Sequence, residues 1–167
     1  MDRIRPAVLA VLAYLLMQQA ALAQMSDRNQ LATVEAVAVV YVYEIHPACL
    51  LSPGDLKDEA EWILRNSGIT VADSPSGNAH ELRIDVVSRR AQEGECMAGI
   101  SSQLGRFYPV DAGAAGGVKE PAFVLAHQDR MSVHTGPEPG FTAQLRRFIR
   151  KSVTGLASKI VEARGAR

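Results

Sequence analysis

The chain has 167 residues, 47% of them hydrophobic, and its 18 basic and 18 acidic side chains give a formal net charge of zero. Removing a predicted leader of 23 residues leaves 144, which is enough for one domain with a hydrophobic core. The sequence shows no internal repeat and no sign of a second domain. No stretch after the leader is long and apolar enough to predict a membrane helix.

The first 23 residues have the pattern of a Sec-type signal peptide. Arg3 and Arg5 precede an apolar run over residues 7–17, and residues 21–23 form an Ala-Leu-Ala cleavage site. The apolar run is much shorter than the roughly 20 residues that a spanning helix needs. We therefore predict cleavage after Ala23 and a periplasmic or secreted bacterial protein. The alternative is an uncleaved anchor, whereas the absence of a cysteine after the cleavage site disfavours a lipoprotein.

The first strand and the first helix are the most clearly marked elements. Residues 36–45 are apolar on both faces, which predicts a central strand or one covered on both sides. Ser52 is suited to cap a helix that begins at Pro53, and Gly68 is suited to end it in a left-handed conformation. Between them, apolar residues recur with helical spacing at Leu56, Ala60, Ile63 and Leu64.

The rest of the chain predicts four strands and a second helix. The polar centre at residues 127–130 of the last strand indicates an edge strand or a bulge. Residues 108–121 are rich in glycine and alanine and predict a long loop. The strands are predicted at 69–72, 81–88, 96–107 and 123–134, and the helix begins after the Gly-Pro breaker at 136–140.

The predicted order is β-α-β-β-β-β-α. It indicates an α+β fold, in which a largely antiparallel sheet of about five strands is covered on one face by two helices as a two-layer sandwich. We predict that residues 24–167 form this single domain.

The run from Trp62 to Val71, followed by Glu81 to Val86, resembles a pattern in small uncharacterised exported bacterial proteins with an α/β sandwich. It is similar, more distantly, to the α/β modules of envelope auxiliary proteins. The resemblance covers roughly residues 52–134 and lies in glycine and apolar positions. It implies a fold and contains no catalytic motif, so no functional residue follows from it.

Cys49 and Cys96 are the two cysteines of the chain. An even number of cysteines in an exported protein predicts a disulfide. A reactive thiol pair or a metal site is the alternative, but the 47-residue separation includes no Cys-x-x-Cys motif to support it.

The sequence contains no recognisable catalytic or cofactor motif. The four histidines, His46, His80, His127 and His134, lack the spacing of metal ligands, and His127 and His134 would face opposite sides of a strand unless a bulge intervenes. There is no Gly-x-Ser-x-Gly motif and no phosphate-binding loop. We therefore predict no catalytic, metal or cofactor-binding residues.

The charge is unevenly distributed along the chain. Residues 24–139 contain 9 basic and 16 acidic side chains, whereas residues 140–167 contain 7 basic side chains and one acidic side chain. The basic residues either face an anionic partner or complement the acidic remainder of the same molecule. The last helix has a basic face made of Arg146, Arg147, Arg150 and Lys151.

Trp62 completes the predicted partner surface. It lies away from the apolar stripe of its helix, and it is either an exposed binding anchor or packed beside Gly155 of the last helix.

These features predict an exported, non-enzymatic envelope protein with a protein-binding or structural role. The partner would be another envelope protein rather than a nucleic acid, and no stable membrane insertion is expected after signal cleavage. One alternative is a small-ligand carrier, with residues 108–121 as a lid and Tyr41, Tyr43 or Tyr108 lining the pocket. Another is a hydrolase-type enzyme that uses His127, Asp129 and a residue across the sheet.

Overall fold

The computed structural model describes residues 28–46, 49, 53–90, 95–111, 119–129, 132–137 and 140–166. Helical residues 28–32 precede the first strand. The elements that follow are β1 (Ala36–Glu44), α1 (Pro53–Asn66), β2 (Thr70–Ala72), β3 (His80–Arg90), β4 (Glu95–Asp111), β5 (Lys119–Gln128), β6 (Ser132–Pro137) and α2 (Gly140–Gly165). The predicted signal peptide and its cleavage site lie outside the described residues.

Helix α1 ends as its sequence predicts. The Ile69 amide donates to the Leu64 carbonyl and the Gly68 amide donates to the Arg65 carbonyl, each at 3.0 Å. Gly68 has a φ of 75°, the left-handed conformation that this closure requires. Leu64 and Ile69 are both buried in the core. The predicted capping residue Ser52 lies outside the described part of the chain.

The predicted α+β class is confirmed, and the sheet is mixed. Its strand order is β2-β1-β3-β4-β5, with β6 paired to β4 beyond the end of β5. β1 is parallel to both β2 and β3, while β4 is antiparallel to β3, β5 and β6. Because α1 carries the chain back between β1 and β2, those two strands run in the same direction. The antiparallel pairing predicted for most of the sheet is therefore found from β3 onward.

The hairpin between β4 and β5 is longer than predicted. Strand pairing continues to Asp111 opposite Lys119, so residues 108–111 and 119–121 belong to strands rather than to the expected loop. Residues 112–118 lie outside the described part of the chain.

The predicted last strand is two strands, β5 and β6, which pair with successive parts of β4. The register shifts between Leu104 and Gly105, which confirms the predicted irregularity. At the break, the Asp129 amide donates to the Ser102 carbonyl at 3.0 Å. As a result His127 pairs with Leu104 and His134 pairs with Ala98, so both histidines lie on the same face of the sheet.

The core lies between the two helices and one face of the sheet, which we call the inner face. The other face, the outer face, is not covered by any described element. Of the two predicted alternatives for β1, the structure therefore has the central strand, which lies between β2 and β3. At the N-terminal end of β1, the Arg164 side chain of α2 donates to the Val34 carbonyl. The buried inner-face residues include Val37, Val39, Leu82, Ile84, Val86, Ile100 and Leu104, and the helices contribute Leu56, Leu64, Phe141, Leu145, Ile149, Val153 and Ile160.

The predicted disulfide between Cys49 and Cys96 is confirmed. It connects the segment between β1 and α1 to the beginning of β4, and both cysteines are buried.

Replacing both cysteines by serine should lower the free energy of unfolding by about 4 kcal/mol, because the crosslink closes a long loop in the unfolded chain. Urea denaturation measures this difference. A reducing agent should produce a comparable loss in the wild type and none in the double variant. Equal stabilities of wild type and variant under oxidising conditions would contradict the expectation.

Candidate functional site

The outer face of the sheet exposes large apolar side chains. Even-numbered residues of β1 and odd-numbered residues of β3 point to this face, together with the odd-numbered residues of β4. Single exposed apolar residues are ordinary, whereas a group on one uncovered face is a feature of interaction surfaces. Six of them leave 39–60% of their surface exposed: Val42, Val87, Met97, Phe107, Leu125 and Val133.

Most of these apolar residues lie at the two ends of the outer face, whereas Val42 pairs with Asp85 in the middle. At one end Val87 and Val133 flank Gly99, with which both are paired. At the other end Phe107 pairs with Phe123, and the centres of their rings are 5.0 Å apart. A Cβ at Gly105 would lie 2.5 Å from the Phe123 ring, so glycine allows that ring to lie flat against the sheet.

The middle of the outer face is polar. Arg83 donates to Asp85 at 2.9 Å on the central strand β3. Ser101 and Gln103 lie beside this pair on β4. The outer face therefore has a polar centre between two apolar ends.

The basic face of α2 divides into paired and unpaired residues. Arg146 forms an ion pair with Asp55, and Arg150 forms one with Glu59 at 2.8 Å. Both pairs advance by four residues along each helix, so α1 and α2 run parallel. These two arginines thus complement the acidic residues of the same molecule. Arg147 and Lys151 have no ion-pair partner among the described residues.

Trp62 leaves 61% of its surface exposed. A Cβ at Gly155 would meet no atom within 4 Å, so the predicted packing of Trp62 beside that glycine is wrong. Its exposure leaves the binding-anchor alternative open, and the role of Trp62 in a partner surface stays a prediction.

A cleft of about 690 Å³ lies between α2 and the break that separates β5 from β6. Its walls combine apolar and charged groups. The residues that line it are His127, Gln128, Asp129, Ser132, Phe148, Lys151, Ser152, Gly155, Leu156 and Lys159.

The cleft brings together His127 and Asp129, the two residues of the predicted enzyme alternative. The Ser152 hydroxyl donates to Asp129, and it lies 2.7 Å from the Ser102 hydroxyl on β4. His127 Nε2 is 3.7 Å from Asp129 Oδ1 and 3.4 Å from Lys159 Nζ. Sequence reasoning did not identify either serine, because nothing local shows which strand and helix residues face each other.

The order of these contacts differs from that of a serine hydrolase. In a nucleophilic triad, the hydroxyl contacts the imidazole and the imidazole contacts the carboxylate. Here the Ser152 hydroxyl donates to the carboxylate of Asp129. The contacts therefore connect α2 to the strand break in an order that differs from that of a triad.

A second cavity, of about 110 Å³, lies under the N-terminal helical segment. It is lined by His80, Arg106 and Tyr108, and by Gln30 of that segment. Ligand sites for organic molecules are usually about 300–1,000 Å³, so this cavity is below that range. The predicted lid at 108–121 lies partly outside the described residues, and the carrier alternative stays a prediction. Tyr41 and Tyr43 are not among the described residues that line either of these two cavities. Burial, with the neighbouring Tyr43, raises the pKa of the Tyr41 phenol to about 12.

The four histidines do not form a metal site among the described residues, where no group of three metal-binding side chains gathers. The His134 ring packs edge-on against Phe148, with the ring centres 5.8 Å apart. His80 is buried, and its Nδ1 has no hydrogen-bond partner among the described residues. None of the described helices has the length and hydrophobicity required to span a membrane.

Stability should depend on the protonation of His80. Burial, and secondarily the charge of Arg106, lowers the pKa of His80 below its ordinary value of 6.5. The unfolded chain therefore binds a proton at His80 more readily than the folded chain does. Stability from this source is complete above pH 6.5 and falls as the pH drops below it.

Urea denaturation between pH 7 and pH 5 tests this dependence. The free energy of unfolding of the wild type should fall more steeply than that of His80→Gln, by up to about 1.4 kcal/mol per pH unit. Parallel profiles for the two proteins would show that His80 titrates alike in the folded and unfolded states.

No family model and no curated protein matches the chain. Among solved structures, it is similar to a single-substitution variant of the PelC dodecamer from Paraburkholderia phytofirmans, with 19% identity, a TM-score of 0.43, and coverage of 75% of this chain and 88% of that one. It is also similar to the hypothetical protein CT253 from Chlamydia trachomatis, with 10% identity, a TM-score of 0.47, and coverage of 74% and 98%. A minor lipoprotein from Acinetobacter baumannii has 15% identity, a TM-score of 0.30, and coverage of 77% and 90%. Likenesses of this degree do not identify a function.

Proposed function

We propose that the protein is an exported, non-enzymatic structural protein that associates with a second copy of itself through the outer face of its sheet. The observation that supports this most directly is the uncovered outer face with its exposed apolar side chains. An exposed group of apolar side chains on one face is a feature of surfaces that bind another protein, which would cover them.

Export is supported by the disulfide and by the predicted signal peptide. Disulfides such as Cys49–Cys96 form and persist in oxidising compartments, which include the bacterial periplasm and the cell exterior. A passive role is supported by the arrangement in the cleft, where Asp129 accepts a hydrogen bond from Ser152 and the relay of a hydrolase is not assembled.

The dimensions of the outer face suit a dimer. A face about five strands wide and about seven residues long measures roughly 24 Å by 23 Å. This flat projection is about 550 Å². The relief of the side chains raises the accessible area toward the roughly 800 Å² that each partner buries in a standard stable interface. Burying that area would remove both apolar clusters from water.

The charge pattern favours a second copy over a charged partner. Four charged groups of the outer face are paired with each other, Arg83 with Asp85 and Arg89 with Glu44. Glu81 and Glu95 of the same face have no ion-pair partner among the described residues. A two-fold axis near the centre would allow each Arg83 to meet the Asp85 of the other copy. Such self-complementarity is what a symmetric interface requires. The same axis would place the Val87 end of one copy over the Phe107 end of the other.

Val133→Glu should convert the dimer to a monomer, because it places a carboxylate in the apolar cluster beside Gly99. The control is Val161→Glu on α2, where the valine is 47% exposed on the helical side. Sedimentation equilibrium of the purified protein measures the mass. We expect a dimer for the wild type and for Val161→Glu, and at least a tenfold weaker association for Val133→Glu.

The proposed pairing of each Arg83 with the Asp85 of the other copy can be tested separately. Arg83→Asp alone should weaken the dimer, and the double variant Arg83→Asp with Asp85→Arg should restore it. A wild type that is monomeric at 100 µM or above would overturn the proposal. Equal weakening by Val133→Glu and Val161→Glu would also overturn it, since the interface would then not be the outer face.

A further inference from the structure

We infer that the cleft between α2 and the β5–β6 break binds an organic anion, namely a carboxylate or a phosphate monoester attached to an apolar body. This site lies on the helical side of the sheet and is independent of the proposed dimer surface. It is formed by side chains from α2 on one wall and by the end of β5 on the other.

Three residues of α2 shape the cleft. Lys151, Gly155 and Lys159 follow one another at intervals of four, so they lie in one row along the helix. The two lysines are about 12 Å apart along the helix axis, one on each side of the glycine. A Cβ at Gly155 would meet nothing within 4 Å, which makes the glycine the floor of an open depression between two cations.

The charges in the cleft favour an anion. Lys151 and Lys159 contribute two ammonium groups against the one carboxylate of Asp129. That carboxylate already accepts a hydrogen bond from Ser152, and Lys151 has no ion-pair partner among the described residues. Lys159 Nζ also lies 3.4 Å from His127 Nε2, so two nitrogen groups of the site are close together. A bound anion would contact one ammonium group directly and would be attracted by the other at longer range.

The apolar groups indicate that the ligand is more than an inorganic ion. Phe148 is partly buried against the core, and Leu156 is buried, yet both contribute to the wall of the cleft. The volume of about 690 Å³ is within the usual range for organic ligands. An alkyl or aromatic body would lie over Gly155 against Phe148, with its anionic group toward one of the two lysines.

The same chemistry occurs in soluble metabolites and in lipid head groups, and the probes distinguish these sources. Hexyl phosphate and octanoate represent soluble anions, and inorganic phosphate tests whether the apolar body matters. Vesicles of phosphatidylglycerol, compared with vesicles of phosphatidylcholine, represent an anionic membrane surface.

The test is a titration of the ¹⁵N-labelled protein followed by NMR. Hexyl phosphate or octanoate should give saturable shifts of the Gly155, Ser152 and Gln128 amides. The affinity obtained from these shifts should be at least tenfold higher than that of inorganic phosphate. Selective binding to phosphatidylglycerol vesicles without shifts from the soluble probes would identify the lipid as the source.

Gly155→Leu is the informative variant, because its Cβ would meet no atom within 4 Å and the rest of its side chain would extend into the cleft. It should abolish binding while leaving the melting temperature equal to or above that of the wild type, since glycine is a poor helix former. The matched control is Thr154→Leu, an exposed neighbour outside the cleft, which should bind like the wild type.

Lys151→Gln and Lys159→Gln should each weaken binding at least fivefold. The inference fails if none of the probes binds the wild type. It also fails if Gly155→Leu binds as the wild type does, because the ligand would then lie elsewhere on the surface.

Discussion

The hydrogen bonds of Asp129 are the constraint on which the second half of the structure depends. Its amide bonds to the Ser102 carbonyl, and its carboxylate accepts from Ser152 of α2. One residue thus joins the long strand β4, the break between β5 and β6, and the helix that covers them. Because the break shifts the alternation of side chains, His134 is on the inner face and Val133 is on the outer face. The cleft and the position of Val133 on the outer face both follow from this shift.

The sheet is buried from one side by two helices that run in parallel. Ion pairs between Asp55 and Arg146, and between Glu59 and Arg150, align the helices along their exposed seam. Exposed pairs of this kind contribute about 0.2–1 kcal/mol each, so the apolar contacts beneath them dominate the stability. For two of the four basic residues, the pairs agree with the second predicted alternative, in which they complement acidic residues of the same molecule.

Local features were predictable from the sequence, and those that depend on distant residues were not. The end of α1 follows from Gly68 and Ile69, which act within one helical turn of Leu64. The disulfide follows from cysteine count and export, without any knowledge of the fold. The parallel pairing of β1 with β3 depends on contacts between residues more than 40 positions apart, such as Val39 with Leu82, and nothing in either strand specifies it. Likewise, the Lys151-Gly155-Lys159 row is visible in the sequence, but only the packing of α2 reveals that it faces a cleft.

The placement of both helices on one side of the sheet determines how many binding sites a dimer presents and in which directions they face. In an assembly formed through the bare side, the two helical layers become opposite exteriors, and the two clefts face away from each other. Such a particle would not lie flat on a single anionic surface with both sites engaged. It would act as a bridge, with one site for each of two facing layers, and the spacing between those layers would be set by the thickness of two sandwiches.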